Sequence, residues 1–112
     1  MNFENGLKKT LTKVVKKDVL ERLKKSVIIH SFEDVGEKVL VTFTKYNMSK
    51  YEEIVEGLIE DRYSVKEEIC LTNKGVLDPN NAEYVEYRAF VEVCKEKARA
   101  FISERDTAFL NQ

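Results

Sequence analysis

The sequence predicts an α+β fold, and three observations predict it. Apolar residues recur at spacings of three and four near both ends of the chain, as on one face of a helix. Between those stretches, "SVIIHSF" (26–32) and "KVLVTFTKY" (38–46) are rich in β-branched and aromatic residues, as strands prefer. Ser49/Glu52 and Ser64/Glu67 then repeat the spacing of a capping box, fifteen residues apart. Together they give a basic N-terminal helix, a β-hairpin, a bent helix pair and a long C-terminal helix. All fit one domain over residues 1–112, with helical parts at 1–25 and 49–110 and the hairpin at 26–46.

The elements are justified in order. In "GLKKTLTKVVKKDVLERLKK" (6–25), Leu7, Leu11, Val14, Val15, Val19 and Leu23 gather on one face and Asn5 is placed to cap. Lys9, Lys13, Lys16, Lys17 and Lys24 fall opposite, so this helix is also suited to be a docking arm. In 38–46, Val39, Val41 and Phe43 alternate with Leu40, Thr42 and Thr44, and "EDVGE" supplies Asp34 and Gly36 for a turn. From Tyr51, the run Ile54, Val55, Leu58, Ile59 and Tyr63 gives a helix with one buried face. Ser64 restarts a short helix through Ile69, Cys70 and Leu71, which Gly75 ends as a left-handed cap beside Val76. "LDPNNA" breaks the chain, with Asp78 or Asn80 as cap and Pro79 in a first turn. From about Ala82 to Ala108, Tyr84, Tyr87, Val91, Cys94, Ala98 and Phe101 form a narrow seam, widened by Phe90 and Ile102.

Composition bounds the function. Hydrophobic residues make up 43% and charged residues 35% of the chain, which fits a folded soluble domain. No apolar run reaches the length of a membrane span, and "MNFENGLKKT" lacks the apolar core of a secretory signal. The formal net charge of −1 hides a division, with eight basic and three acidic side chains in residues 1–25 against eleven and seventeen in the rest. Cys70 and Cys94 lie outside any CxxC spacing and fall at apolar positions, so both read as small buried hydrophobes.

No catalytic, cofactor or metal residues emerge. His30, the sole histidine, sits in a strand pattern where a partly buried or edge side chain is the ordinary reading. The four glycines are scattered and form no phosphate-cradling loop, and the carboxylates of 52–68 fall on solvated helix faces. The residues open to a binding role are therefore interface candidates: Lys13, Lys16 and Lys17 on the basic face, and Tyr84 and Tyr87 at the start of the last helix. Aromatic residues do not interleave with the lysines, which weighs against nucleic-acid binding, and the helix has no Trp or Phe to anchor it on a membrane surface.

Residues 50–99 carry a recognisable pattern: "KYEEIVEGLIEDRYSVKEEICLTNKG", a spacer, then "AEYVEYRAFVEVCKEKAR". Its parts are the Tyr-x-x-Ile-Val start, Arg62-Tyr63-Ser64, the Glu68-Ile69-x-Leu71 turn, and the closing Glu-Tyr…Phe-Val-Glu…Cys-Lys…Ala. This segment resembles small tail-associated or other virion proteins of tailed bacteriophages and prophages of gut bacteria. The spacer "VLDPNN" departs from the charge-rich spacers of that group. The resemblance implies a non-enzymatic structural component of a phage particle, made in the host bacterial cytoplasm. Its partners would be other virion proteins or further copies of itself, with no small-molecule substrate and no cofactor. The alternatives are a cytoplasmic adaptor or assembly chaperone, and a nucleic-acid or membrane-surface binder working through the basic helix.

Overall fold

Three antiparallel strands, rather than two, organise the first half of the chain. The structure is a computed structural model that describes residues 2–112. A single 3-10 turn (Glu4–Gly6) leads into β1 (Lys8–Lys16), α1 (Lys17–Leu23), β2 (Ile28–Asp34) and β3 (Lys38–Tyr46). The second half holds α2 (Tyr51–Glu60), α3 (Val65–Leu77) and α4 (Ala82–Leu110). The protein is thus a small α+β fold with a sheet, a jointed helix pair and a long C-terminal helix. The expected helix over 6–25 is corrected, since residues 8–16 are a strand and only 17–23 are helical.

The reason lies in the even spacing of the key positions. Leu7, Leu11 and Val15 are four apart, and a separation of four places residues on one face of a strand as well as of a helix. Thr10, Thr12, Val14 and Val15 then tip the choice, because branching at Cβ favours the pleated conformation. A third strand also relieves the marginal stability of an isolated hairpin.

The sheet order is β1-β3-β2, and β3 pairs antiparallel with both neighbours. β1 and β2 therefore run parallel, and α1 is the crossover between them. Leu20 of α1, Val27, Val39, Val41 and Phe43 form the core, with Leu11, Val15, Leu23 and Ile29 packed around it. The opposite face carries hydroxyl pairs, Thr10 with Thr44 at 2.9 Å and Thr12 with Thr42 at 3.0 Å. At the β2–β3 turn, Gly36 has φ 99° and its N–H donates to Asp34 Oδ1 at 3.0 Å. Without a Cβ it adopts this left-handed geometry at little cost.

The chain divides into two compact units, one from Ser49–Glu104 with the residues up to Glu4, the other from Asn5–Met48 with Arg105–Gln112. Within the second unit, the Tyr46 and Phe109 rings meet edge-on at 6.1 Å, and Arg105 Nη1 donates to Asn47 O at 2.9 Å. In the helical unit, Ile54, Val55, Leu58 and Ile59 of α2 are buried, as are Leu71 of α3 and Tyr87, Cys94, Ala98 and Phe101 of α4. The Phe3 and Glu4 N–H groups donate to the two oxygens of Asp61, and the Phe3 ring lies where a Cβ on Gly57 would stand.

The joint between α2 and α3 forms as the capping box requires. Glu67 N–H donates to Ser64 Oγ and Ser64 N–H to Glu67 Oε1, both at 3.1 Å. Other caps move. α2 is capped at Lys50, whose N–H donates to Glu53 Oε1 at 3.2 Å, and not at Ser49. α4 is capped by Asn81, whose Oδ1 accepts from Tyr84 N–H at 3.1 Å, while Asp78 closes a local turn onto Asn80. Asn5 caps nothing, since it lies inside the 3-10 turn. Gly75 does not end α3, which continues to Leu77. It is buried mid-helix with negative φ, and the Tyr84 ring occupies the space its side chain would take.

Candidate interaction surfaces

The five sequence-derived interface residues go to three places. Lys13 and Lys16 lie exposed on β1, an edge strand. Lys17 opens α1 and pairs with Asp34 at 3.1 Å. That hydrogen bond, with help from the Gly36 N–H, holds the Asp34 carboxyl below its ordinary range. Tyr84 and Tyr87 belong to the helical unit and pack inward. Tyr84 is half-buried against Gly75. Tyr87 is buried, meets Tyr63 edge-on at 5.2 Å and donates its hydroxyl to Glu68 Oε1 at 2.7 Å. Burial, followed by the hydrogen bond to Glu68, pushes its phenol up to about 12.

An open cleft of about 460 Å³ lies between α3 and α4, lined by Tyr63, Lys66, Cys70, Lys74, Glu83 and Glu86 among others. Of its charged groups, Lys74 and Glu83 pair with each other at 3.2 Å, and Glu86 pairs with Arg62. Cys70 is exposed here, contrary to the buried hydrophobe expected from its position. Cys94 is buried as expected, which raises its thiol pKa. His30 lies exposed at the register shift of β2 and hydrogen-bonds Thr44 Oγ1. Among the described residues no group of His, Cys, Asp and Glu is placed to hold a metal ion. None of their helices is long and apolar enough to cross a membrane.

Two surfaces were missed at the sequence level. The first is a stripe on α3: Val65, Ile69, Thr72 and Val76 stand four, three and four apart, within about 60° of one another round the helix. Val65 and Ile69 are each 57% exposed and Val76 78%. Thr72 belongs to the stripe because its hydroxyl is turned back to Glu68 O at 2.8 Å, which leaves its methyl outward. The stripe spans about 16 Å and is separate from the buried side of Leu71 and Gly75. Its spacing was visible in the sequence, but reading only Ile69, Cys70 and Leu71 as the apolar content of this helix hid it.

The second is the charge on the β1–β3 ladder. Lys9 stands directly opposite Lys45, and Lys16 directly opposite Lys38. Among the described residues no carboxylate pairs with Lys9, Lys13, Lys16, Lys38 or Lys45. Like charges facing across a ladder destabilise it. Because 8–16 reads as a helix on periodicity, Lys38 and Lys45 could not be connected with the N-terminal lysines in advance.

No family model matches the chain, no curated protein is similar to it, and no solved structure matches it.

Proposed function

We propose that this chain is a non-enzymatic structural protein that works by contact with other protein chains, as a component of a bacteriophage particle. The observation that carries the reading is the α3 stripe. A helix that already buries one side against its own unit gains nothing from a second apolar side in water, unless another chain covers it. The resemblance over 50–99, whose first matching stretch runs to Gly75 and so covers α3 except Val76 and Leu77, supports the phage setting. Coverage by a helix of another chain suits the four-three-four spacing, which is that of helix-on-helix seams.

The test is incorporation. Copy number is measured in purified particles for the natural chain and for Ile69→Asp, whose site is exposed, so its circular dichroism should stay unchanged. A fixed copy number for the first and loss of the second support the reading. Absence of the natural chain from finished particles points instead to an assembly chaperone, and undiminished incorporation of Ile69→Asp rejects the α3 contact. A second reading, nucleic-acid binding, draws on the five lysines without carboxylate partners.

A further inference from the structure

The β1 edge combines two properties. It is straight: all nine residues pair with β3 in continuous register, with no bulge and no proline. β2, the other edge, is interrupted between Ile29 and Ser31, which discourages strand addition there. The β1 edge is also uniformly basic, with no acidic residue in 8–16.

Lysines on an edge strand commonly serve to repel other strands. That accounts for Lys9, Lys13 and Lys16. It does not account for Lys38 and Lys45, which lie on the central strand and oppose two of them. A cluster that costs stability within its own sheet, and has no carboxylate to offset it, suits a negative partner that arrives from outside.

From this we infer that β1 takes up an extended, acid-rich segment of another protein chain as a fourth strand. The inference rests on the reading of the protein as one that acts through protein contacts, and it names the chemistry of a partner. A strand fits better than a nucleic acid because an open edge offers both N–H donors and C=O acceptors. Phosphates would satisfy only the donors, whereas a peptide backbone satisfies both. The same lysines that turn away an uncharged strand then admit an acidic one.

Alternation along β1 fixes the partner's pattern. Lys9 and Lys13 share a face with Leu11 and Val15, and Lys16 points to the other face with Val14 and the threonines. The incoming segment should carry acids four apart on one face with apolar residues between, and a third acid three residues further on the opposite face.

The experiment uses an end-blocked, labelled nine-residue peptide with Glu at its second, sixth and ninth positions, Val at the fourth and eighth, and Thr elsewhere. The reversed sequence covers the antiparallel orientation. Fluorescence anisotropy with the full chain should show one of the two binding at least about tenfold more tightly than a scramble of the same composition. N-methylation of the peptide's pairing amides should abolish binding. The double variant Lys9→Glu/Lys13→Glu should weaken binding at least about tenfold while raising the melting temperature, because it removes the Lys9–Lys45 repulsion. Loss of fold would lower both, so the opposite signs separate the two causes. Equal binding of the scramble, indifference to N-methylation, or tighter binding of a single-stranded oligonucleotide of equal charge would overturn the inference. If the peptides fail while Ile69→Asp still blocks incorporation into particles, only this inference falls.

Discussion

At Gly75 the absence of a side chain is what lets the Tyr84 ring lie on α3. Alanine is normally the better helix residue by about 1 kcal/mol, so Gly75→Ala in an open helix would stabilise. Here the added methyl overlaps a half-buried ring, and a net loss of about 1–3 kcal/mol is expected in chemical denaturation. Pairing it with Tyr84→Ala should cancel most of that loss, as a double-mutant cycle would show. Tyr87 gives a pH prediction. Its phenol is raised to about 12, so the folded state holds this proton more firmly than the unfolded state, where it leaves near 10. The stabilisation is therefore complete below pH 10 and is lost as pH rises through 12. One of the five tyrosines should ionise late in an absorbance titration, and Tyr87→Phe should remove that late step and flatten the alkaline loss of stability. No sequence signal foretold either feature, because both depend on which residue of α4 meets which residue of α3.

Among the elements, the helices of the second half were legible from their periodicity, while of their expected end signals only the one at Ser64 formed as read. The Ser64/Glu67 box is present as read, and replacing Ser64 by Ala should cost about 1 kcal/mol in an unfolding titration. The buried faces of α2 and α4 follow directly from their periodicity, since Ile54, Leu58, Cys94 and Ala98 are among the most enclosed residues. The N-terminal segment was not legible, because an even apolar spacing suits either period and its lysines looked like the polar side of a helix. The β1 contribution to the sheet has its own check. Lys16→Glu places a carboxylate opposite Lys38 and should gain about 0.2–1 kcal/mol. If residues 8–16 were helical, that change would act only on the local charge of a lysine-rich helix, and Lys38→Glu would not lose its benefit in the double variant.

Across the whole molecule, the two units differ in net charge, although they divide the chain elsewhere than at residue 25. The sheet unit, Asn5–Met48 with Arg105–Gln112, carries eleven basic and six acidic side chains; the helical unit carries eight and fourteen. Units of opposite net charge would favour contact between copies of the chain, an attraction that salt screens once the Debye length falls below about 10 Å. Light scattering should show a mass that rises with protein concentration at low ionic strength and falls back as salt is added. A mass independent of both would show that the charge division does not drive association between copies. The candidate surfaces were only partly legible at this scale: the lysines were singled out, while their opposing partners and the α3 stripe emerged only once topology and helix orientation were fixed.

The central place of β3 also sets an order of events at birth. Both earlier strands hydrogen-bond only to the one made last, so a nascent chain that has emerged as far as Asp34 has nothing to pair with. Once β3 has emerged, the β2–β3 hairpin closes across its short turn, and β1, separated from β3 in the chain by α1 and β2, joins last.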